Sequence, residues 1–382
     1  MPSFVRGVVA VLGAAAGLAL AGPALASASP VVGHAYVNDN TAVANTISGF
    51  DHHADGTLTP IPGSPFLTGG AGTGHGLASQ GALQVSSDGR YLIAVDAGSS
   101  QLSVLRIHDD GTLTPVRGGP VWSGGLDPVS VAEHDGLVYV ANAGIGGSNY
   151  TGFVLGRHGQ LWALPDSTFA LPDTAQPGDV LFNSTGRNLA GTRVGTSPIA
   201  SQIDSFRVGY DGRLIPAPGS PFPAQGPGPF GSEFRPTDPG QLFVSNAHGG
   251  TLAGTVSAFD VARDGTLSSI GASPFADDQT APCWVEISHD GRFLFTVNTA
   301  SGSISRYAID RDGSLDLLGR TPIGAQGAGA VDARLSADGR DLYVNETAAG
   351  QIGEFAVHGG DLAPIGSVPV STGPGAAGLA VN

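Results

Sequence analysis

The chain has 382 residues, a net charge of −15, 60 glycines, 27 prolines and only 13% charged residues. Its hydrophobic fraction of 41% excludes a disordered chain, and its length suits one large repeat domain or two ordinary domains. Abundant glycine and proline with few charges are typical of many short strands joined by tight turns. The acidic balance repels nucleic acid and anionic lipid, so we expect neither as a partner.

Residues 1–26 have the features of a secretory signal peptide. Arg6 precedes an apolar run from Gly7 to Gly22, and Ala24-Leu25-Ala26 provides small residues for cleavage. The run is shorter than the ~20 residues that a spanning helix needs. We therefore expect a secreted, extracellular protein without a membrane anchor, in which residues 27–33 form a short segment before the folded domain. An uncleaved anchor is the alternative.

One hairpin turn recurs along the remaining chain. Its full form, Asp-Gly-Thr-Leu, occurs at Asp55–Leu58, Asp110–Leu113 and Asp264–Leu267. Looser versions begin at His158, Asp211, Asp312 and Gly359. Asp-Gly favours a hairpin because glycine adopts the positive φ that the turn requires. The seven turns predict seven similar β units, and a Ser-Pro-Phe phrase after three of them suits an outer edge strand.

The second strand of each unit ends on a polar residue, which gives the repeat its register. These residues are Asp39, Asp96, Asn142, Arg193, Asn246, Asn298 and Glu346. Their spacing stays near 50 residues, which together with four short strands per unit is typical of propeller blades. We name the strands A to D from the centre outwards.

The two chain ends are predicted to share one blade. His34–Asp39 matches a strand B and is followed by strands C and D, whereas Gly375–Asn382 matches a strand A. Pairing these segments leaves no open sheet edge at the join. The sequence therefore predicts an all-β fold, a seven-bladed β-propeller over residues 34–382 with 3+1 closure of the last blade.

The strand phrases resemble those of a known family. Ser-His-Asp-Gly-Arg-Phe-Leu-Phe-Thr-Val-Asn (288–298) and Ser-Ala-Asp-Gly-Arg-Asp-Leu-Tyr-Val-Asn (336–345) are similar to blade motifs of the lactonase-type seven-bladed propellers. That family includes bacterial 6-phosphogluconolactonase and the 3-carboxy-cis,cis-muconate lactonizing enzyme. The resemblance covers residues 34–382 and implies the fold more strongly than the activity.

The active-site phrases implied by the resemblance are altered in this chain. Where the family has Gly-Pro-Arg-His, the closest counterpart is Gly228-Pro229-Phe230-Gly231, which lacks both Arg and His. The third inner strand, at Gln176–Asp179, also lacks His, and Asn345-Glu346 is offset from a family Asn-Glu pair. A phosphosugar lactone needs Arg or Lys to hold its phosphate. Few such residues are predicted on the face of the propeller where inner strands begin. We therefore do not expect 6-phosphogluconolactonase activity itself.

Inner strands contribute candidate catalytic residues to the central channel, the deep concavity of this fold. Asp332 and Arg334 share one inner strand, and Glu286 and Glu233 match the position of Arg334 in other blades. His75 lies in a glycine-rich loop before the first inner strand. A carboxylate with a raised pKa would act as a general base, while Arg334 or Arg193 stabilises an oxyanion.

The ends of strands B contribute further candidates at the mouth where inner strands begin. Asp39, Asp96 and Glu346 belong to three consecutive blades, so Glu346 is a candidate catalytic residue and all three are candidate ligands of Ca²⁺ or another divalent cation. Asp39, Asp96, Arg193 and Glu233 are the candidate ligand-binding residues. The structural alternative is that each strand-end residue caps the turn that follows it.

The remaining candidates carry little chemistry. Cys283 cannot form an internal disulfide and is expected to be a buried, inert thiol. His52 and His53 lie near a hairpin turn and are expected to face solvent. The sequence contains no dinucleotide, P-loop, zinc or Gly-x-Ser-x-Gly motif, so no cofactor is required.

Two functions follow from this interpretation. The first is a secreted lactonase-like propeller that hydrolyses or isomerises a small lactone or carboxylic acid at the channel mouth. The second is a non-catalytic extracellular binding or scaffold propeller. The expected partner is a small molecule or an extracellular protein, and we expect a monomer.

Overall fold

The computed structural model describes residues 1–3, 29–195, 201–324, 329–370 and 375–382. The predicted signal peptide falls almost entirely outside these residues. Within them the chain forms seven antiparallel sheets and one short 3-10 turn at Ala97–Ser99. No helix of the described part is long and apolar enough to span a bilayer. The prediction of a seven-bladed β-propeller is confirmed.

The two central strands of each blade are short and mostly buried, although strand B of blade 7 begins with the exposed Val31 and Val32. In blades 1 to 7, strands A are Leu83–Val85, Pro128–His134, Pro177–Phe182, Pro229–Phe234, Pro282–Ile287, Ala330–Leu335 and Leu379–Val381. Strands B are Tyr91–Asp96, Leu137–Asn142, Asn188–Arg193, Gln241–Asn246, Phe293–Asn298, Asp341–Glu346 and Val31–Asn38. Because both faces of these strands are covered by neighbouring blades, they lack the polar alternation of a solvated sheet.

The outer strands run from buried to exposed. In the same blade order, strands C are Gln101–Ile107, Asn149–Leu155, Gln202–Val208, Thr255–Val261, Ser303–Ile309, Gln351–His358 and Thr46–His53. Strand D is continuous in two blades, at Leu315–Pro322 and Asp361–Pro369. In the other five blades it consists of two pieces, at Leu113–Pro115 and Val121–Trp122, Leu161–Ala163 and Phe169–Ala170, Leu214–Pro216 and Phe222–Pro223, Leu267–Ser269 and Phe275–Ala276, and Leu58–Pro60 and Phe66–Leu67.

Both pieces of a divided strand D pair with the same strand C. In blade 7, Leu58–Pro60 pairs with residues 50–52, while Phe66–Leu67 pairs with residues 46–47. The Ser-Pro-Phe phrase therefore lies on the outer edge, as predicted. Proline is tolerated there because an edge strand can lose a backbone donor without breaking a ladder.

Blade 7 joins the two ends of the chain. Its strand A, Leu379–Val381, pairs with residues 35–37 of strand B. Beyond the ladder, the Asn382 amide donates to the His34 carbonyl at 3.0 Å, and the His34 amide donates to Asn382 Oδ1 at 2.9 Å. These contacts confirm the 3+1 closure. The first strand begins at Val31, slightly before the predicted boundary at residue 34.

Adjacent blades are linked by a repeated tyrosine contact. A tyrosine on strand B donates its hydroxyl hydrogen to the glycine carbonyl in the C–D hairpin of the next blade. The bonds run from Tyr36 to Gly111 at 2.9 Å, from Tyr139 to Gly212 at 2.9 Å and from Tyr343 to Gly56 at 3.0 Å. The hairpin signal that defines the repeat therefore also supplies an acceptor for the neighbouring blade.

The prediction that His52 and His53 face solvent is wrong. Both are buried, because strand C of blade 7 packs against blade 6 and the N-terminal segment. His52 Nε2 lies 3.1 Å from a carboxylate oxygen of Asp341, and His53 Nδ1 lies 2.8 Å from the Ser29 carbonyl. The two histidines thus contribute to the junction between the last blade and its neighbours.

Candidate functional site

Three charged side chains form one layer of the central channel. Glu233, Glu286 and Arg334 occupy the same register on the inner strands of blades 4, 5 and 6. Arg334 Nη1 lies 2.9 Å from Glu286 Oε2 and 3.9 Å from Glu233 Oε2. The prediction that these positions match one another is confirmed. We call them the channel triad.

The triad is deep in the ring but remains in contact with channel space. The Glu233 side chain keeps 27% of its surface exposed and Arg334 keeps 20%. Burial, reinforced by the Glu286 carboxylate, raises the pKa of Glu233 well above its usual value despite the opposing charge of Arg334. Burial lowers the pKa of Arg334, but Glu286, Asp332 and Glu233 outweigh it and raise that pKa overall. Arg334 therefore carries a positive charge next to a carboxyl group that is easily protonated.

Arg334 is held mainly by one carboxylate. Glu286 accepts from Arg334 Nη1 and, through its other oxygen, from the Leu335 amide at 3.2 Å. Nη1 is the only nitrogen of the guanidinium with a hydrogen-bond partner among the described residues. The other N–H groups of Arg334 are thus available to a molecule in the channel.

A β-bulge positions Asp332 above the triad. The inner strands of blades 2 to 6 each contain one extra residue near their start. In blade 6 this segment holds Asp332 at a φ of 76°, an uncommon conformation for a residue with a side chain. Its carboxylate accepts the backbone amides of Ala333 and Leu379, both at 2.9 Å. Asp332, a predicted catalytic residue, instead anchors the closing strand of blade 7.

Asp179 is a buried carboxylate that connects three blades. Its Oδ2 accepts from the amide and hydroxyl of Ser232 at 2.9 and 2.7 Å, and its Oδ1 accepts from the Ser130 hydroxyl at 3.3 Å. Burial raises the pKa of Asp179 to about 7 and that of Asp332 to about 6. Hydrogen bonds and Arg334 oppose both shifts without cancelling them.

Residues 79–81 enter the channel from the face where inner strands begin. We call this segment the channel plug. Gln80 Nε2 donates to the Ser232 carbonyl at 2.9 Å, and Gln80 Oε1 accepts the Val285 amide at 3.0 Å. The Ser79 carbonyl accepts from Trp284 Nε1 at 3.0 Å. Ser79 and Gln80 are almost completely buried, so the plug fills the channel on this side of the triad.

Glu233 and Arg334 of the triad instead line a cavity at the other end of the channel. This cavity has a volume of about 300 Å³. Its polar lining includes Gln80, Glu133, His134, Asp179, Glu233 and Arg334. It extends towards the A–B turn at residues 183–184, where inner strands end. The triad therefore faces the end of the channel opposite to the one expected from the sequence. Among the described residues, a cavity of about 50 Å³ lies on the other side of the plug, beside Trp284 and Asp332.

The strand-B ends that the sequence predicts to bind a ligand or a metal ion are hydrogen-bonded within the sheets. Asp39 accepts from the hydroxyls of Thr46 and Ser48 at 2.7 and 2.8 Å, both on strand C of its own blade. Glu346 accepts from Gln351 Nε2 at 2.8 Å. Across the described residues, no group of three or more His, Cys, Asp or Glu side chains is arranged to hold a metal ion. The bonds to strand C take up carboxylate oxygens that a cation would need.

Asp96 and Arg193 are also engaged within the sheets. Asp96 accepts from Asn45, Thr68 and Ser103 at 2.5 to 2.8 Å, which joins blades 7 and 1. Arg193 forms a bidentate pair with Asp204 at 2.7 and 2.6 Å. The strand ends are thus held within the fold, but by side chains of strand C and of a neighbouring blade and not by the turn amides that the structural alternative predicts.

Two further candidates lie outside the channel cavity. His75 is exposed, and its carbonyl accepts from Asn40 and Thr73 at 2.7 and 2.8 Å. Cys283 is buried, and this burial raises its thiol pKa to about 11. At neutral pH the Cys283 side chain is therefore a protonated thiol and not the nucleophilic thiolate, as expected.

Comparison with known proteins places this geometry in a family context. Residues 234–327 match the family model described as lactonase, 7-bladed β-propeller. The chain has the lactonase-type propeller fold. A comparison with curated protein sequences finds no match. The match to the family model confirms the resemblance drawn from the blade motifs.

Solved structures support the same fold over nearly the whole chain. A putative 6-phosphogluconolactonase from Bacteroides fragilis superposes with a TM-score of 0.70 at 21% identity, covering 94% of this chain and 100% of its own. A putative 6-phosphogluconolactonase from Bacteroides uniformis gives 0.71 at 20% identity, covering 92% and 99%. The periplasmic gluconolactonase of Pseudomonas aeruginosa gives 0.68 at 18% identity, covering 91% and 98%. At these identities the likeness concerns the fold of this lactonase-type propeller.

The sequence analysis missed two residues of the channel, Asp179 and Gln80. Asp179 follows the Gln-Pro-Gly phrase of an inner strand, so its place in the repeat was a usable signal. Gln80 belongs to no repeated phrase, and its role depends on partners more than 150 residues away. Only the closed ring shows that this loop crosses the channel.

Proposed function

We propose that this lactonase-type propeller is a hydrolase for a small lactone, acting in the channel cavity beside the triad. The single observation that carries the proposal is the contact between Arg334 and Glu233 at the edge of a cavity of about 300 Å³. A carboxylate base next to a fixed positive charge can catalyse ester hydrolysis, because the base activates water and the positive charge stabilises the oxyanion.

The roles follow from the geometry. Glu233 takes a proton from a water molecule, and the water oxygen bonds to the lactone carbonyl carbon. The free N–H groups of Arg334 stabilise the oxyanion that forms, while Glu286 positions Arg334. The ring C–O bond then breaks, and the leaving oxygen takes the proton from Glu233, which yields a hydroxy acid. Release of this anionic product is favoured by the surrounding carboxylates.

Substitution of the triad tests the proposal. Purified protein is assayed by pH-stat against five- and six-membered lactones with and without hydroxyl groups. We expect turnover by the unmodified protein, a loss of kcat of about 10²-fold or more in Glu233→Gln, and a loss of about 10²-fold in Arg334→Gln. Glu354→Gln is the matched control, since Glu354 is a buried glutamate that accepts the Leu58 amide outside the channel. Absence of turnover for every lactone contradicts the proposal.

The pH profile provides a second readout. Glu233 must be deprotonated to act as a base, so the rate should rise with pH through a pKa above the usual range of glutamate. In Arg334→Gln the loss of the positive charge should move this rise to higher pH. A rate that stays constant from pH 4 to pH 8 would exclude Glu233 as the base.

A non-catalytic binding propeller is the second candidate function. It is favoured by the phrase at 228–231, which lacks the Arg and His that the lactonase resemblance implies. In this case the cavity would bind a polar small molecule without turnover. The same lactone panel distinguishes the two, because saturable binding without hydrolysis supports this function alone.

Export is part of the proposal. The apolar run and the Ala24-Leu25-Ala26 phrase support cleavage after residue 26, and we propose a secreted monomer. Mass spectrometry of the protein recovered from the medium should give an N-terminus at Ser27. An intact N-terminus in the cell-associated fraction would contradict it.

A further inference from the structure

A groove between blades 3 and 4 carries an unusual concentration of positive charge. It lies beside the A–B turn of blade 3, outside the channel cavity, and has a volume of about 460 Å³. Its lining includes Asn183, Thr185, Arg187, Arg207, Tyr210 and Arg263. Arg187 and Arg263 are exposed, and Arg207 is half-buried. Three of only 17 basic residues thus meet in one groove of a chain with a net charge of −15.

The repeat itself explains why Arg187 is unpaired. The A–B turns of blades 1, 5 and 6 end in Asp-Gly-Arg, and the aspartate pairs with the arginine two residues later. These pairs are Asp88–Arg90 at 2.5 Å, Asp290–Arg292 at 4.0 Å and Asp338–Arg340 at 3.6 Å. Blade 3 has Thr185 in place of the aspartate. Its arginine therefore has the position of the others without their counter-charge.

Among the described residues, none of the acidic residues closest in sequence forms an ion pair with a groove arginine. Asp211 pairs with Arg213 at 3.1 Å. Asp238 accepts the Gly240 amide at 3.1 Å, and Asp264 accepts the Thr266 amide at 3.0 Å. In the described residues no carboxylate lies within 4.0 Å of the three groove arginines. Asp260, on strand C of blade 4, is exposed and pairs through its backbone with Gln241.

We propose that this groove binds a multiply charged oxyanion, a phosphate or sulfate group, carried by a ligand whose ring packs on Tyr210. Guanidinium groups recognise such anions through paired N–H donors. The combined positive charge of three guanidinium groups is larger than the negative charge of a single carboxylate, so it suits a multiply charged anion. Tyr210 is fully exposed beside them, so it offers a ring face that nothing else in the described chain covers. The volume of the groove is much larger than that of a phosphate or sulfate group alone.

Calorimetric titration at low ionic strength tests the inference with inorganic phosphate, inorganic sulfate and phenyl phosphate. We expect saturable binding that weakens as salt is added, with phenyl phosphate binding more tightly than inorganic phosphate. Thr185→Asp restores the turn of the other blades and should pair with Arg187, which weakens binding about tenfold. Arg207→Gln should have a similar effect. Arg90→Gln is the matched control, since it removes a paired arginine at the same turn position in blade 1.

Each outcome decides a part of the inference. Absence of saturable binding, or equal loss in Arg90→Gln and Thr185→Asp, overturns the site. Tyr210→Ala should remove the preference for phenyl phosphate while leaving inorganic phosphate unaffected. Equal affinities of the unmodified protein for phenyl phosphate and inorganic phosphate would overturn the role of Tyr210 and leave a site for the free anion. Thermal melts of each variant verify the fold independently of binding.

Discussion

Buried charges in this propeller are stabilised by specific partners at the level of single residues. Arg193 and Asp204 are both nearly inaccessible, and two short hydrogen bonds join them. The Tyr150 hydroxyl adds a third bond to Asp204 at 3.1 Å. Such a pair contributes little net stability, but loss of one partner leaves the other charge buried and uncompensated.

Arg193→Ala should therefore be strongly destabilising. We expect the free energy of unfolding to fall by about 3–5 kcal/mol, because Asp204 remains in the blade interior. The measurement is urea denaturation at pH 7. Arg90→Ala is the control, since it breaks an exposed Arg–Asp pair and should cost less than about 1 kcal/mol. Equal effects of the two variants would contradict the distinction between buried and exposed pairs.

Asp179 should make stability depend on pH. Its pKa of about 7 in the folded protein lies above the usual 3.8, so between these values the folded state keeps a proton that the unfolded chain has released. The free energy of unfolding should then decrease as pH rises from 4 to 7, by at most ~4 kcal/mol for this residue. Asp332 and Asp277, both with a pKa raised to about 6, add to the same trend.

Asp179→Asn should flatten this dependence. Urea denaturation at pH 4.5 and pH 7.5 gives the difference, which should shrink in the variant because asparagine does not ionise. Asp238→Asn, at an exposed position, should keep the difference seen in the unmodified protein. A slope that is unchanged in Asp179→Asn would show that its carboxyl group does not titrate as the burial implies.

The positions of the candidate site residues could be predicted from the sequence better than their roles. Glu233, Glu286 and Arg334 were correctly aligned because all three share one position in the repeat. Asp39 and Glu346 were aligned equally well, but the sequence did not show that strand C of their own blades holds their carboxylates. Alignment of the repeats predicts the position of a residue on its strand. It does not predict whether strand C provides a hydroxyl or an amide that binds the side chain of that residue.

At the scale of single elements, the A–B and C–D turns serve more than chain reversal. The glycine carbonyl of a C–D hairpin accepts a hydrogen bond from the preceding blade in four places. In three of them the donor is a tyrosine of strand B. In blade 4 the Gly265 carbonyl accepts from Ser205, on strand C of blade 3, at 2.6 Å. These bonds join four of the seven pairs of adjacent blades.

Tyr139→Phe tests this coupling. The loss of one hydrogen bond from a nearly inaccessible position should reduce the free energy of unfolding by about 1 kcal/mol. Combination with Tyr343→Phe should be additive within about 0.5 kcal/mol, because the two residues lie in distant blades. Tyr210→Phe is the control, since its hydroxyl is exposed and should contribute almost nothing. A neutral Tyr139→Phe would indicate that packing alone sets the blade angle.

Sequence periodicity predicted the positions of the strands and turns better than it predicted the burial of their residues. Every strand B and C–D turn was located, because their phrases repeat near every 50 residues. The expectation that His52 and His53 face solvent was wrong. A nearby hairpin turn predicts solvent exposure only where no other part of the protein packs against the turn. His52 contacts Asp341, which is distant in sequence, and His53 contacts the Ser29 carbonyl of the N-terminal segment.

For the whole molecule, ring closure is the decisive contact. The final strand of three residues pairs with the first strand, and Asp332 and His34 hold its two ends. Inner strands contact each other in sequence round the ring, including those on both sides of the closing strand. The C-terminus is therefore required for the integrity of blades 6, 7 and 1 together.

Removal of residues 375–382 should unfold the protein. The variant loses strand A of blade 7, exposes the inner face of Ala35 and Val37, and leaves the Asp332 carboxylate without its Leu379 donor. We expect loss of the cooperative thermal transition, measured by circular dichroism. A synthetic peptide of residues 375–382 should restore part of the transition if the strand acts by pairing. A normal melt of the truncated chain would contradict the closure.

The sequence by itself determined the number of blades, the strand register, the shared last blade and the layer of Glu233, Glu286 and Arg334. These features depend on a local pattern that repeats, so each copy carries the information. Only the tertiary structure decided which cavity Glu233 and Arg334 line, that Gln80 crosses the channel, and that Asp332 and the strand-B carboxylates are held by the fold. Those outcomes depend on contacts between different blades, and no single repeat encodes them.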